Sequence, residues 1–126
     1  MRKNVKIIYP DVSYKLTGLF FDVHNELGRF CKERQYADLL EIKFKKDNIK
    51  YEREKEVPIH NDDYEIKGNK VDFLIDDKII IDLKAKKFIL REDYYQMKRY
   101  LGAAKLRLGL IVNFRDSYIK PKRILN

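Results

Sequence analysis

Cysteine occurs once in the 126 residues, as Cys31, so no internal disulfide can form and nothing asks for an oxidising compartment. Histidine occurs twice, and His24 and His60 are too far apart in sequence to suggest a zinc site. With no partner nearby, Cys31 reads as a buried small side chain and His24 as a helix-face or core residue. Long apolar runs are missing too. The stretch 108–112 is far too short to span a bilayer, and residues 1–12 hold no apolar core of signal-peptide length. No repeat, low-complexity tract or Pro/Gly/Ser linker divides the chain. The expectation is a single soluble, cytoplasmic domain over residues 1–126, with room for one core.

What is abundant is charge, most of it positive. Lys and Arg number 28 against 20 Asp and Glu, leaving a net charge of +8. A basic surface attracts polyanions, and the release of their counterions favours binding at low salt. Nucleic acid is therefore the expected partner, DNA before RNA, with no membrane and the oligomeric state, a homodimer included, left open. At 44% hydrophobic and 38% charged residues, the composition is that of a folded protein rather than a disordered one.

Leu16, Leu19, Phe20, Val23 and Leu27 recur at three- and four-residue steps, marking one face of a helix. Ser13 is its expected N-cap and Gly28 its stop. A second helix begins near Lys32, with Tyr36, Leu39, Leu40 and Phe44 as its buried stripe. From Tyr51 the period changes to two: 51–59 alternates and ends near Pro58. His60 to Asp63 and Gly68-Asn69 are turn material. Val71, Phe73 and Ile75 share one face of the next strand, Asp76-Asp77 makes a tight connection, and 79–83 is a third strand. A helix over 92–105 leads to an apolar strand at 108–114, and 119–125 adds a short edge. A meander followed by a helical crossover implies an α/β fold, a mixed sheet with helices on its faces.

Asp82 and Lys84 stand out, because residues two apart in a strand leave the sheet on the same side, roughly 6.6 Å apart. Asp82 follows three isoleucines, where an unpaired carboxylate is costly to bury. Asp72 interrupts the preceding apolar strand in the same way, so a hairpin would bring both carboxylates to one cation. Spacing alone leaves a second account equally open, a buried ion pair of Lys84 with Asp72 or Asp82 that fixes strand register. Glu33 falls on the buried stripe of the second helix, or is a first-turn acid favoured by the helix dipole. Gln96 and Tyr100 lie one turn apart on one helix face; singly they would be a surface amide and a packing aromatic.

At these residues the sequence resembles a known family. Gly28-Arg-Phe-Cys-Lys-Glu33-Arg-Gln-Tyr36 is similar to the signature of the GxxExxY proteins, a branch of the PD-(D/E)XK nuclease superfamily. Asp22-Val-His24-Asn-Glu-Leu27-Gly28 resembles that family's lead-in. Val71-Asp72 and Ile81-Asp82-Leu83-Lys84 match the acidic motif, Gln96-x-x-x-Tyr100 matches a motif of the exonuclease branch, and the segment from Gly109 to Phe114 resembles the last core strand. The match runs in unbroken order from about residue 16 to the C-terminus. Phe30 replaces the signature's first Gly, and the third-strand acid, more often Glu, is Asp82.

The resemblance implies a restriction-endonuclease-like core with a mixed sheet of about four strands, and a metal-dependent nuclease cutting DNA or RNA. It implies that Asp72, Asp82 and the Leu83 carbonyl hold Mg²⁺ or Mn²⁺. Lys84 would orient water or neutralise charge in the transition state. Glu33 would position a water or a second metal, and Gln96 and Tyr100 would orient the phosphate or brace the site. Lys86, Lys87, Arg91, Lys98 and Arg99 become candidates for nucleic-acid backbone contacts, though any one of them also fits a solvated face. The competing reading is a binding or regulatory module on the same fold without useful catalysis.

Overall fold

The structure is a computed structural model that describes residues 8–126. The first helix begins earlier than its apolar spacing suggests. α1 (Pro10–Leu27) opens on Pro10, whose fixed φ and missing N–H suit a first turn, behind Tyr9 at φ 52°. Ser13 is therefore not a cap. It lies buried inside the helix, where its Oγ accepts a bond from Arg123 (2.8 Å). Gly28 ends α1 at φ 75°, a conformation that favours glycine, and donates its N–H to the His24 carbonyl (2.8 Å).

α2 (Glu33–Lys46) is capped where Gln35 reaches back to accept the Lys32 N–H (2.8 Å). Its buried stripe runs through Tyr36, Ala37, Leu40 and Phe44. Leu39, expected on that stripe, is only half-buried, because the helix is turned toward Ala37. Cys31, in the turn between the helices, is likewise half-buried and not enclosed.

β1 (Tyr51–Glu56) stops short of the expected end. Pro58 has no N–H to continue a ladder, and the next residues form a separate ribbon, β2 (Ile59–His60) with β3 (Glu65–Ile66). His60, expected as turn material, pairs with Glu65, and the turn is closed by Asn61 Oδ1, which accepts the N–H of Asp63 (2.9 Å). β4 (Lys70–Ile75) and β5 (Ile79–Lys84) are antiparallel neighbours joined through Asp76 and Asp77, both left-handed at φ 51° and 55°. That is the primed-turn geometry that matches strand twist. α3 (Arg91–Ala104) then crosses over to β6 (Leu108–Asn113), which runs parallel to β5, and β7 (Lys122–Leu125) completes the sheet in the order β1-β4-β5-β6-β7.

One apolar layer holds Leu16, Phe20, Tyr36, Phe44, Phe73 and Val112 between the sheet and α1 and α2. The other packs Leu74, Ile80, Met97, Leu101 and Ile111 under α3. Gly109 permits that contact, since a Cβ there would lie 2.3 Å from Met97 Sδ. Val71, expected beside Phe73 and Ile75, instead packs in the α3 layer with Val57. Strand alternation slips at Asp72. Arg53 pairs with Phe73 and Lys55 with Val71, but Glu54, between them, is left-handed at φ 53° and forms no pair with Asp72. No helix among the described residues is long and apolar enough to cross a membrane.

Candidate active site

The β4–β5 ladder runs from Ile75↔Ile79 to Phe73↔Ile81 and then opens. Asp72 and Asp82 stand opposite each other one step further, where no backbone pair forms. In place of the missing partner, the Leu83 N–H donates to Asp72 Oδ2 (2.6 Å). Burial, and then the neighbouring Asp82 carboxyl, raise the Asp72 pKa to about 7. Asp82 itself is 7% exposed, and its Oδ2 is buried without a hydrogen bond. The Lys84 Nζ, 3.2 Å from that oxygen, is close enough for an ion pair but is not aligned as a donor.

Lys84 is enclosed by acids from more than one element. Besides Asp82, its Nζ lies 3.7 Å from Asp93 in the first turn of α3. Burial opposes its charge, but Asp82, Asp93 and Glu33 outweigh that and raise its pKa. Asp93 is itself buried, caps α3 by accepting the Leu90 N–H (2.7 Å), and pairs with Lys86 at 2.6 Å. Burial works against the Asp93 carboxylate too, yet Lys86, the Leu90 N–H and Lys84 hold its pKa below the ordinary range.

Glu33 is exposed at the start of α2, not part of the buried stripe. Its carboxyl still turns toward the strand ends. Partial desolvation raises its pKa, opposed first by Lys84 and then reinforced by Asp82. With Arg34, Arg53, Glu54, Asp72 and Leu83 it lines a cleft of about 300 Å³. Tyr36 fixes the turn that presents Glu33: its hydroxyl donates to the Gly28 carbonyl (2.6 Å) and accepts the Cys31 N–H (3.1 Å). Its ring stacks on Phe114 at 4.2 Å, a contact worth about 0.5–1.5 kcal/mol beyond area burial. Phe30 costs this turn no strain, because the left-handed residue is Gly28.

Tyr100 is buried in the α3 layer, and burial followed by Asp82 raises its pKa. Gln96 is half-exposed, and among the described residues its side chain makes no hydrogen bond. Of the basic candidates, Lys86 is committed to Asp93 and Lys98 to the Leu125 carbonyl (2.8 Å). Lys87, Arg91 and Arg99 are exposed. Among the described residues no three His, Cys, Asp or Glu side chains converge tightly enough to hold a metal ion unaided.

With strand order, carboxylates and lysine in place, comparison decides the family. A model of the PD-(D/E)XK nuclease superfamily matches residues 10–124. The chain belongs to that superfamily. The mixed five-stranded sheet with its three helices is consistent with the restriction-endonuclease-like fold of the superfamily. The solved crystal structure of SSO0001 shares the fold at a TM-score of 0.52 and 20% identity, over 100% of this chain and 70% of that one. No curated protein sequence matches it.

In this PD-(D/E)XK chain, sequence reasoning missed Asp93, Asn113 and Arg115. Asn113 is buried, and its amide pairs with both backbone groups of Lys86, donating to the carbonyl (2.7 Å) and accepting the N–H (3.1 Å). Asp93 was readable only as an acid in a first helical turn, because Leu90 at the cap offers no side-chain oxygen and the usual capping signature is absent. Nothing local could have flagged Asn113 or Arg115, whose partners lie across the fold.

Proposed function

We propose that the chain hydrolyses phosphodiester bonds of DNA or RNA with Mg²⁺ or Mn²⁺, and that it belongs to the GxxExxY branch of its superfamily. The carrying observation is the Asp72–Asp82 pair, half-buried and buried, with its orphaned Asp82 oxygen at the open end of the β4–β5 ladder. Carboxylate and carbonyl oxygens suit a hard cation, so Asp72, Asp82 and the Leu83 carbonyl would hold it, with the remaining donors coming from water and phosphate. When bound, such a cation supplies Lewis-acid stabilisation of the phosphate.

The residues around it supply the rest. Lys84, kept charged by Asp82 and Asp93, places a fixed positive group where the phosphate gains negative charge. Glu33, at the cleft rim with a raised pKa, positions the attacking water and receives its proton. Tyr100 braces Asp82 from behind, and Gln96, one turn away, reaches toward the phosphate. Lys87, Arg91 and Arg99 contact the nucleic-acid backbone, whereas Lys86 and Lys98 hold the protein together.

The test is a cleavage assay on labelled single- and double-stranded DNA and RNA with Mg²⁺, Mn²⁺ or EDTA. Metal-dependent cutting that Asp82→Asn abolishes is expected. Nucleic acid that is bound but never cut would instead support a binding module, in which the Asp82–Lys84 ion pair is structural.

A further inference from the structure

Phe30 is 75% exposed and belongs to neither apolar layer. A lone exposed aromatic is ordinary, but its surroundings are not. The Arg29 and Arg115 guanidinium carbons lie 5.1 and 5.4 Å from its ring centre. Each arginine is fixed by the backbone of the other: Arg29 Nε donates to the Arg115 carbonyl (2.7 Å), and Arg115 Nε donates to the Arg29 carbonyl (3.1 Å). Among the described residues neither forms a salt bridge with a carboxylate. Their positive charge is therefore immobilised and uncompensated beside an open ring.

The cluster also adjoins the candidate site. Arg115 reaches the carbonyl of Ala85, the residue after Lys84, in a long contact of 3.5 Å, and its N–H donates to Asn113 Oδ1 (3.3 Å). Phe30 lies three residues before Glu33. The platform is thus tied to the end of β5 and to the start of α2, the two elements that carry Lys84 and Glu33.

We propose that Phe30, Arg29 and Arg115 form a stacking platform for an unpaired nucleobase, so that this site takes single-stranded nucleic acid. The inference rests on the nuclease reading and deepens it. An aromatic face accepts any base without reading sequence, and guanidinium planes add cation–π stacking and phosphate contact. In a duplex those base faces are hidden within the stack, so the platform discriminates single strands from double ones. Preformed arginines lose little entropy on binding.

The test compares wild type, Phe30→Ala and Phe30→Trp by fluorescence anisotropy in EDTA, where cutting is excluded, on short single-stranded DNA, single-stranded RNA and duplex DNA. The loss of one stacked base weakens binding about five- to 150-fold. Phe30→Ala should lose that much on a single strand and keep duplex affinity, with an unchanged melting temperature. Phe30→Trp should retain affinity, and its indole fluorescence should be quenched by the single strand. The DNA and RNA arms identify which single strand the platform takes. Equal affinities of Phe30→Ala and wild type, parallel losses on single strand and duplex, or an unquenched Phe30→Trp would each overturn the platform while leaving the nuclease reading standing. A wild type that binds no nucleic acid, with or without Mg²⁺, overturns both.

Discussion

Replacing Asp72 by asparagine should make the metal-free protein more stable above pH 7, the reverse of what removal of a structural ion-pair partner would do. The Asp72 carboxyl has a pKa of about 7 in the fold against an ordinary value of 3.8. Between those values the folded chain keeps a proton that the unfolded chain has released. Stability from this group is therefore lost as pH rises through the window, and the loss is complete above pH 7. The full interval corresponds to about 4 kcal/mol. Asp72 is half-buried and lies beside the Asp82 carboxyl, so roughly half of that, about 2 kcal/mol, is the net gain expected for Asp72→Asn at pH 8. The asparagine keeps an oxygen for the Leu83 N–H. The assay is urea unfolding in EDTA from pH 4 to pH 8, where about 2 kcal/mol moves the midpoint by roughly 1 M. The advantage should vanish at pH 4, and Mg²⁺ should stabilise the wild type at pH 8 but not the variant. A variant no more stable than wild type at pH 8, or an advantage independent of pH, would refute the reasoning.

Lys84→Ala should lower cleavage by about 100- to 1000-fold while Mg²⁺ still raises the melting temperature, separating turnover from metal uptake. Asp93→Asn should destabilise the fold by about 1–3 kcal/mol at pH 7, because it leaves Lys84 and Lys86 without their shared acid. Since the Asp93 pKa is lowered, that deficit should shrink as pH falls below the ordinary carboxylate range, as denaturant midpoints would record. Gly109→Ala should cost about 1–3 kcal/mol as Met97 is forced aside, measurable by thermal melts. Binding to any nucleic acid should weaken steeply with salt, and a flat salt profile by anisotropy would exclude a phosphate-led contact.

Much of this architecture was written in local periodicity. The four- and three-residue steps through Leu16, Phe20 and Val23 announce α1, and three isoleucines before Asp82 announce a strand that is buried on both faces. Asp72 and Asp82 were legible as intrusions of charge into apolar strands. What periodicity could not carry was departure from regular geometry. Val71 changes layer because the backbone at Glu54 turns left-handed opposite Asp72, and a pattern of alternation assumes no such slip. Glu33 sat at the right helical phase, yet phase fixes only a direction from the axis, and at the first turn of α2 that direction meets the open cleft. Asn113 and Arg115 act through contacts with residues far away in sequence, which no window along the chain contains.

The amide of Asn113 has a consequence for the order in which the site becomes rigid. Glu33, Asp72, Asp82, Lys84 and Asp93 all precede β6 in the chain, whereas the side chain that clasps Lys86 and the N–H of Phe114 that binds the Lys84 carbonyl (2.9 Å) come after the crossover. A folding chain therefore holds the acids and the lysine before it holds their clamp. β5 can pair with β4 through a tight turn, but its other edge and the segment after Lys84 wait for a strand delivered by α3, a slower, long-range event. Rigidity at this end of β5 therefore depends on a long-range contact, and should be the first property lost when β6 loosens.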